Sequence, residues 1–276
     1  YTIAENYGNG FLIMKITIIG GGNIGGSIAG GLAAGTLVKA SDLTVADCSS
    51  AALDKIKGMN ADIKTSNNNA EAVEQADLVI LAVKPWLAEE VCASFRDKLD
   101  FSKQMLASVV AGVPFEKLHM MLENGKGVKP TLFRLIPNTA ISLRESVTFI
   151  ASDGASSEQL DGLVALFNEL GKTVVVTEQM MISGTSLSSC GIAFALKYLD
   201  ASIKGGVELG FSEEESREIV MQTMYGALAL MKHNKTMPQT EIDKVTTPGG
   251  LTLKGLEAMA EAGFSEAVWA GLIKSR

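Results

Sequence analysis

Apolar runs and helical spacings alternate along the chain from residue 15 to about residue 178. Residues 15–19 form a short apolar run rich in β-branched residues, and Ile24, Ile28 and Leu32 then recur at helical spacing. A run such as Leu78–Val83, which is apolar at every position, is typical of a strand covered on both faces. Further runs lie at residues 76–85, 104–113, 132–140, 147–152 and 172–178. The pattern predicts repeated β-α units around a parallel sheet.

Helical patterns alone fill the remainder of the chain. Residues 181–204 predict one long apolar helix, and Ser212 with Glu215 three residues later predicts the capped start of another. A last amphipathic helix is expected to run to about residue 272. The two patterns divide the chain into two expected domains, residues 14–177 and residues 178–276.

The C-terminal helices carry more apolar and small residues than one face of each helix could bury in a domain of about 100 residues. Two arrangements would cover this excess. The helices could pack against a second subunit, or they could pack against the first domain.

Composition narrows the classes of protein. With 276 residues and 47% apolar content, the chain can form one large domain or two ordinary ones. A net charge of −7 without a basic stripe argues against a nucleic-acid partner. No apolar run reaches the roughly 18 to 20 residues that span a bilayer, so we expect no membrane segment.

The cysteines and the N-terminus bear on location. Cys48, Cys92 and Cys190 are widely separated and form no CxxC pair, which is typical of reduced intracellular thiols and predicts neither a disulfide nor a metal site. Residues 1–13 carry no basic region and no small-residue cleavage site, so we expect no signal peptide. We expect Met14 to be the natural start, residues 1–13 to be an extension, and the protein to be cytoplasmic.

A glycine pattern, G-x-G-x-x-G, follows the first apolar run directly and precedes a helical spacing. In it Gly20 would permit a tight turn, Gly22 would let the backbone approach a pyrophosphate, and Gly25 would let helix and strand pack closely. The helix that begins near Asn23 and Ile24 would face phosphates with unpaired N–H groups. The alternative is a plain glycine-rich turn between strand and helix. The position between a strand and a helix favours a dinucleotide site.

The next strand should end at Asp47, about 20 residues after the glycines, where a carboxylate can accept a hydrogen bond from a ribose 2′-OH. A cofactor with a 2′-phosphate would normally call for Arg or Lys here, and this chain has Cys48, Ser49 and Ser50. This favours NADH, although Ser49 and Ser50 could also bind a phosphate. An ordinary turn residue at position 47 remains an alternative, and the cofactor stays NADPH or NADH.

Polar residues and glycines close several of the apolar runs. They are Lys84-Pro85, Ala111-Gly112 and Pro137-Asn138-Thr139. Because the carboxyl ends of parallel strands meet at one edge of a sheet, these residues are expected beside the glycine loop. The sequence therefore predicts a Rossmann-like, dinucleotide-binding α/β domain followed by an all-helical C-terminal domain.

The stretch "DKVTTPGGLTLKG", residues 243–255, interrupts the helical region. Pro248 fixes one backbone angle, Gly249 and Gly250 permit a turn, and a helix resumes at once. A Gly-Gly turn that enters a helix offers free N–H groups and a positive dipole end to a carboxylate, and Thr252 adds a hydroxyl. The two histidines, His119 and His233, end no strand and are expected to be solvated.

Four stretches together resemble the pyrroline-5-carboxylate reductase family. They are "GGGNIGGSIAGGL" (20–32), "LAVKP" (81–85), "RLIPNTA" (134–140) and "KVTTPGGLTLKGLEAM" (244–259). The resemblance covers the chain from Met14 onward. It implies reduction of 1-pyrroline-5-carboxylate to L-proline, the last step of proline biosynthesis, with NADPH or NADH. It also implies a helical domain that forms a homodimer, with a decamer built from dimers as a larger assembly.

The resemblance also implies site residues. With the glycine loop and Asp47, the expected cofactor contacts are Ser49, Asn69, Ala82, Val83, Lys84, Pro85, Ala111, Gly112 and Asn138. The expected substrate contacts are Thr247, Gly249, Gly250, Leu251 and Thr252. Thr252 would hydrogen-bond the ring nitrogen and is the expected catalytic residue.

Two segments depart from the family pattern. Ser188–Phe194 lacks the glycine, proline and tyrosine expected near the nicotinamide and substrate, and Ala140 stands where a second proline is usual. Two other functions remain open. One is a 3-hydroxyacid dehydrogenase, or another dehydrogenase or imine reductase of this architecture, with Lys197 or Lys204 as a catalytic lysine. The other is a non-enzymatic NAD(P)-sensing regulator.

Overall fold

The computed structural model describes residues 14–276. The extension expected at residues 1–13 lies outside the described residues. In the described part, the chain forms two compact units, the first ending at Ser189 and the second running from Cys190 to Arg276. The domain boundary expected near residue 178 stays a prediction.

The first unit is built on one eight-stranded sheet with the order β3-β2-β1-β4-β5-β6-β7-β8. Its strands are β1 Ile16–Ile19, β2 Leu43–Ala46, β3 Lys64–Ser66, β4 Leu78–Leu81, β5 Met105–Ser108, β6 Thr131–Ile136, β7 Ser146–Asp153 and β8 Gly171–Val175. β1 to β6 are parallel, as expected. β7 is antiparallel to β6, which the sequence pattern did not predict. The connection at residues 137–145 explains this, because a parallel crossover needs about a dozen or more residues.

Helices cover both faces of this sheet. They are α1 Asn23–Ala33, α2 Ser50–Met59, α3 Asn69–Val73, α4 Ala88–Phe95, α5 Phe115–Leu122, α6 Ser157–Asn168 and α7 Met180–Gly184. In β4, Leu78 and Ile80 join the core cluster that contains α1 and α6, and Val79 and Leu81 join the cluster that contains α4 and α5. Successive side chains of a strand point to opposite faces, so a strand between two helical layers is apolar at every position.

The second unit is helical throughout its described residues, 190–276. Its helices are α8 Gly191–Glu208, α9 Glu213–Asn234, α10 Pro238–Val245, α11 Leu251–Glu261 and α12 Phe264–Lys274. The capping box predicted at the start of α9 is present: Ser212 Oγ accepts from Glu215 N, and Glu215 Oε2 accepts from Ser212 N. Within residues 190–276 of the single chain, Ser216 alone is buried. No apolar side chain of this unit's described residues is therefore buried in one chain.

Two predicted helices differ in detail from the structure. The long helix expected at residues 181–204 is present as α7, a π-helical segment at Thr185–Cys190, and α8, which follow one another without a break. The last helix breaks at Gly263, whose φ of 77° is left-handed and separates α11 from α12. The prediction of one continuous last helix was wrong, and the π-helical part of the earlier helix was not predicted, because hydrophobic spacing does not report a local change of backbone angle.

Candidate functional site

The glycine loop joins β1 to α1 by a close approach of backbone to backbone. A Cβ at Gly20, where φ is 105°, would run into the carbonyl oxygen of Ala82, and a Cβ at Gly25 would run into the carbonyl oxygen of Gly20. A Cβ at Gly22 would meet no described atom within 4 Å, because Gly22 faces an open cavity. The first N–H groups of α1 have no partner inside the helix. A dinucleotide pyrophosphate fits this loop, since it needs both close backbone approach and free N–H donors.

Asp47 stands at the end of β2 and holds two backbone segments together. Its Oδ2 accepts from the amide of Gly21 at 2.7 Å, and its Oδ1 accepts from the amide of Ser49 at 2.8 Å. Ser49 caps α2, because its Oγ accepts from Ala52 N at 3.3 Å. The carboxylate is therefore fixed in orientation next to the glycine loop.

A cavity of about 760 Å³ opens at the carboxyl ends of β1, β2, β4 and β5. Its volume lies within the range of roughly 300–1,000 Å³ that is usual for ligand sites. The strand order changes direction between β1 and β4, and this switch point is where open α/β sheets bind ligands. The cavity is thus in the place that the rim residues predicted.

The structure brings most of the predicted cofactor residues to this cavity. Its lining includes Gly20, Gly22, Asn23, Ile24, Asp47, Asn69, Ala82, Val83, Lys84, Pro85 and Ala111. Four predicted cofactor residues lie outside the lining: Gly25, Ser49, Gly112 and Asn138. Gly25 packs against the backbone of Gly20, and Ser49 caps α2 with its hydroxyl. The cofactor contacts themselves stay predictions.

One wall of the cavity was missed from the sequence. It consists of Leu87, Glu90, Val91 and Ser94, at and after the start of α4. Their spacing is helical, so a helix placed directly after the β4 strand would have indicated this face. Ser94 Oγ accepts from Asn69 Nδ2 at 3.1 Å, which links α3 to α4, and it donates to the carbonyl of Val91 at 2.6 Å.

The charge of the lining is uneven. Of the described residues that line the cavity, Lys84 alone is cationic, whereas Asp47 and Glu90 are anionic. Lys84 follows β4, and Asp47 follows β2, with β1 between them in the sheet. The exposed thiol of Cys48 lies next to Asp47 in the same lining.

Asn138 is buried and anchors the π-helical segment. Its Nδ2 donates to Ser188 Oγ at 3.0 Å, and its Oδ1 accepts from Ala140 N at 3.0 Å. Ser188 Oγ also donates to the carbonyl of Val147, and Ser189 Oγ donates to the carbonyl of Pro137. A proline at position 140 would have no backbone N–H to donate. The alanine found at this position therefore provides one hydrogen bond of this network, the one to Asn138.

The predicted substrate turn lies in the second unit and is exposed in the single chain. Thr247 accepts from Gly250 N at 2.9 Å, Gly249 has a φ of 75°, and Gly250 is the N-cap of α11. A Cβ at Gly250 would come within 2.7 Å of Thr247 Oγ1. Leu251 and Thr252 are the first two residues of α11, so their N–H groups have no acceptor inside the helix.

The other candidate residues occupy different surroundings. His119 is not solvated as expected, because its Nε2 lies 2.6 Å from Asp153 Oδ2 on β7. Hydrogen bonds from His119, and then from Lys129, hold the pKa of Asp153 below its usual value. Lys197 and Lys204 are exposed and both bind Asp200 on the same helix, at 3.1 Å and 2.9 Å. Neither lysine of α8 is therefore held in a cavity as a catalytic lysine would be.

Within residues 14–276, no group of three or more His, Cys, Asp or Glu side chains is arranged to hold a metal ion. No helix in this range is both long and apolar enough to cross a membrane.

Comparison with known proteins gives consistent matches over both units. The family model described as pyrroline-5-carboxylate reductase dimerisation matches residues 178–276, and the model described as NADP oxidoreductase coenzyme F420-dependent matches residues 15–112. Pyrroline-5-carboxylate reductase 2 of Dictyostelium discoideum is 31% identical over 95% of this chain and 90% of its own length. Pyrroline-5-carboxylate reductase 1 of the same organism is 33% identical over 94% of this chain, which spans about half, 48%, of that relative's length.

A solved structure matches the whole architecture. It is the pyrroline carboxylate reductase of Plasmodium falciparum with NADP bound, at 25% identity and a TM-score of 0.84. The match covers 96% of this chain and 97% of that chain. The predicted fold class, a Rossmann-like domain followed by a helical domain, is confirmed.

Proposed function

The chain belongs to the pyrroline-5-carboxylate reductase family, and we propose that it reduces 1-pyrroline-5-carboxylate to L-proline with hydride from NAD(P)H, the last step of proline biosynthesis. The observation that carries this proposal is the cavity at the glycine loop. It has the volume for a nicotinamide dinucleotide, helix N–H groups that can face a pyrophosphate, and an acidic residue that can bind a ribose hydroxyl. The enzyme is an oxidoreductase that acts on a C=N bond.

The first unit holds the cofactor. The amides at the start of α1 face the pyrophosphate, and the Asp47 carboxylate receives the adenosine ribose. The ends of β4 and β5, with Val83, Lys84 and Ala111, form the opposite end of the cavity. The bound dihydronicotinamide supplies the hydride, and the protein supplies position and electrostatics.

The second unit offers the groups that bind the substrate. The N–H groups at Gly250, Leu251 and Thr252 suit the carboxylate of a cyclic imino acid, and the α11 dipole adds to their attraction. The Thr252 hydroxyl makes none of the described hydrogen bonds and is exposed, so it is available to the ring nitrogen. A protonated imine is already electrophilic, so no strong general acid is needed. Transfer requires about 3 to 3.5 Å between the reacting carbons.

The assembly follows from the second unit. Residues 178–276 match a dimerisation model, and the uncovered apolar side chains of α8 to α12 suit a homodimer. A decamer built from dimers and a cytoplasmic location complete the proposal.

An assay with the purified full chain tests this function. NADH or NADPH is mixed with 1-pyrroline-5-carboxylate, cofactor oxidation is followed by absorbance, and L-proline is identified by mass spectrometry. We expect both oxidation and proline. Cofactor binding without imine reduction would favour a sensing regulator, and oxidation of small 3-hydroxy acids in its place would favour the dehydrogenase alternative.

A further inference from the structure

We propose that Asp47 makes this enzyme select NADH over NADPH. This inference rests on the proposed function, because it concerns the nicotinamide cofactor of the same site. It goes further by naming which of the two cofactors the chain takes and which residue decides.

Asp47 is fixed where it can act on the ribose. Gly21, whose amide binds Asp47 Oδ2, belongs to the loop that faces the pyrophosphate. The adenosine ribose is joined directly to that pyrophosphate, so the ribose hydroxyls come next to the residue that follows β2. The cavity lining on this side contains Ala46, Asp47 and Cys48.

The two hydrogen bonds from backbone amides leave further acceptor sites free on the Asp47 carboxylate. Each oxygen of an ionised carboxylate can accept about two hydrogen bonds. Gly21 N uses one site on Oδ2, and Ser49 N uses one site on Oδ1. The remaining sites can accept the 2′-OH and 3′-OH of NADH.

A 2′-phosphate would meet this carboxylate instead. A phosphate monoester carries a charge of about −1.5 to −2 at neutral pH, and sites for it normally supply Arg or Lys. At the neighbouring position this chain has the thiol of Cys48, which carries no positive charge. The cation of the described lining, Lys84, follows β4, and β1 separates that strand from β2.

The serines after Cys48 do not supply the missing charge. Ser49 lies outside the cavity lining, and its Oγ accepts from Ala52 N as the N-cap of α2. Its hydroxyl, like that of Ser50, can donate a hydrogen bond but cannot neutralise a phosphate next to Asp47. The charges of the side chains around Asp47 therefore favour a cofactor with a free 2′-OH, which is NADH.

Binding in the absence of substrate tests the inference on the full chain. Isothermal titration with NADH and with NADPH should give a Kd for NADPH that is at least about ten-fold higher. Asp47→Ser should bring the two Kd values to within about three-fold of each other, by weakening NADH and strengthening NADPH. Asp54→Asn removes the same charge from an exposed position of α2 outside the cavity and should leave the ratio unchanged.

A second variant covers the case in which Asp47→Ser fails to fold, since Asp47 holds two amides. Cys48→Arg keeps the carboxylate and adds a cation, so it should lower the Kd for NADPH by about ten-fold with little change for NADH. Equal or tighter binding of NADPH by the wild-type protein would overturn the inference, as would an unchanged ratio in both variants.

These outcomes are separate from those of the proposed function. A chain that prefers NADH in the titration but does not reduce the imine would contradict the function and leave the role of Asp47 intact. A chain that makes proline with NADPH as the preferred cofactor would leave the function intact and contradict the role of Asp47.

Discussion

Asn138 Nδ2 donates to Ser188 Oγ at 3.0 Å, which ties the end of β6 to the π-helical segment far along the chain. Both side chains are buried. The segment that departs most from the family pattern is thus fastened to the sheet by hydroxyl groups. The family resemblance alone did not indicate these bonds.

Ser188→Ala should destabilise the protein. The substitution leaves the buried Asn138 amide and the Val147 carbonyl each without one partner, and an unsatisfied buried group costs about 1–3 kcal/mol. The free energy of unfolding, measured in urea at one fixed protein concentration, should fall by this amount. Ser183→Ala, at an exposed position of α7, should change it by less than about 0.5 kcal/mol. Equal values for the two variants would contradict the role given to this bond.

Thr252→Val should impair catalysis with little effect on the fold. The methyl group replaces the hydroxyl offered to the ring nitrogen, so we expect kcat/KM to fall ten-fold or more, on the order of 1.4 kcal/mol. Steady-state kinetics with saturating cofactor measure this. Thr252→Ser, which keeps the hydroxyl, should retain most of the activity, and unchanged kinetics in the valine variant would remove Thr252 from the mechanism.

Gly249→Ala and Gly58→Ala should shift stability in opposite directions. Gly249 has a φ of 75°, where a Cβ costs roughly 1–2 kcal/mol, so alanine should destabilise the protein and raise the KM for the substrate. Gly58 lies in α2 with no atom within 4 Å of an added Cβ, so alanine should stabilise the protein by up to about 1 kcal/mol. Denaturant unfolding of the two variants is the measurement. A neutral Gly249→Ala would mean that the turn changes shape without cost.

Glu241 should stabilise the protein in a pH-dependent way. Hydrogen bonds to its Oε1 from Thr236, Lys244 and Asn234 lower its pKa from 4.5 to about 2. A pKa that is lowered in the folded state gives stability that is fully present above the unfolded pKa and is lost as the pH falls from 4.5 toward 2.

The Glu241→Gln variant makes this measurable. The difference in unfolding free energy between wild type and variant should be constant above about pH 5 and should shrink at lower pH. Glu218→Gln, on the exposed surface of α9, serves as the control. Parallel pH profiles for wild type and Glu241→Gln would contradict the assigned bonds.

The cysteines should differ sharply in reactivity. Burial raises the pKa of Cys92 to about 12, so its thiolate is scarce and shielded, whereas Cys48 is exposed in the cavity lining. Iodoacetamide followed by peptide mass mapping should label Cys48 and spare Cys92 in the native protein. Saturating NADH should slow labelling of Cys48, and a rate that NADH does not change would place the cofactor elsewhere.

The sheet and the glycine loop could be predicted because each leaves a pattern that is local in sequence. A strand such as β4 is apolar at every position since both its faces are covered, and the glycine loop is marked by the spacing of Gly20, Gly22 and Gly25 between a strand and a helix. The cavity wall formed by α4 was missed because its residues have no unusual chemistry and matter through their common helical face. The pairs Asn138–Ser188 and His119–Asp153 join distant residues, so no local pattern could indicate them.

The second unit has a consequence for how the protein is made. Among residues 190–276 of one chain, Ser216 alone is buried, and side chains such as Leu228, Leu230 and Trp269 remain at least half exposed. The hydrophobic burial that stabilises a helical domain must therefore come from outside these helices. If a second copy supplies it, the slow step of refolding is an encounter between two molecules. The half-time for recovery of activity would then shorten as the protein concentration rises. Newly synthesised chains would take longest to pair with a second chain when their concentration is low.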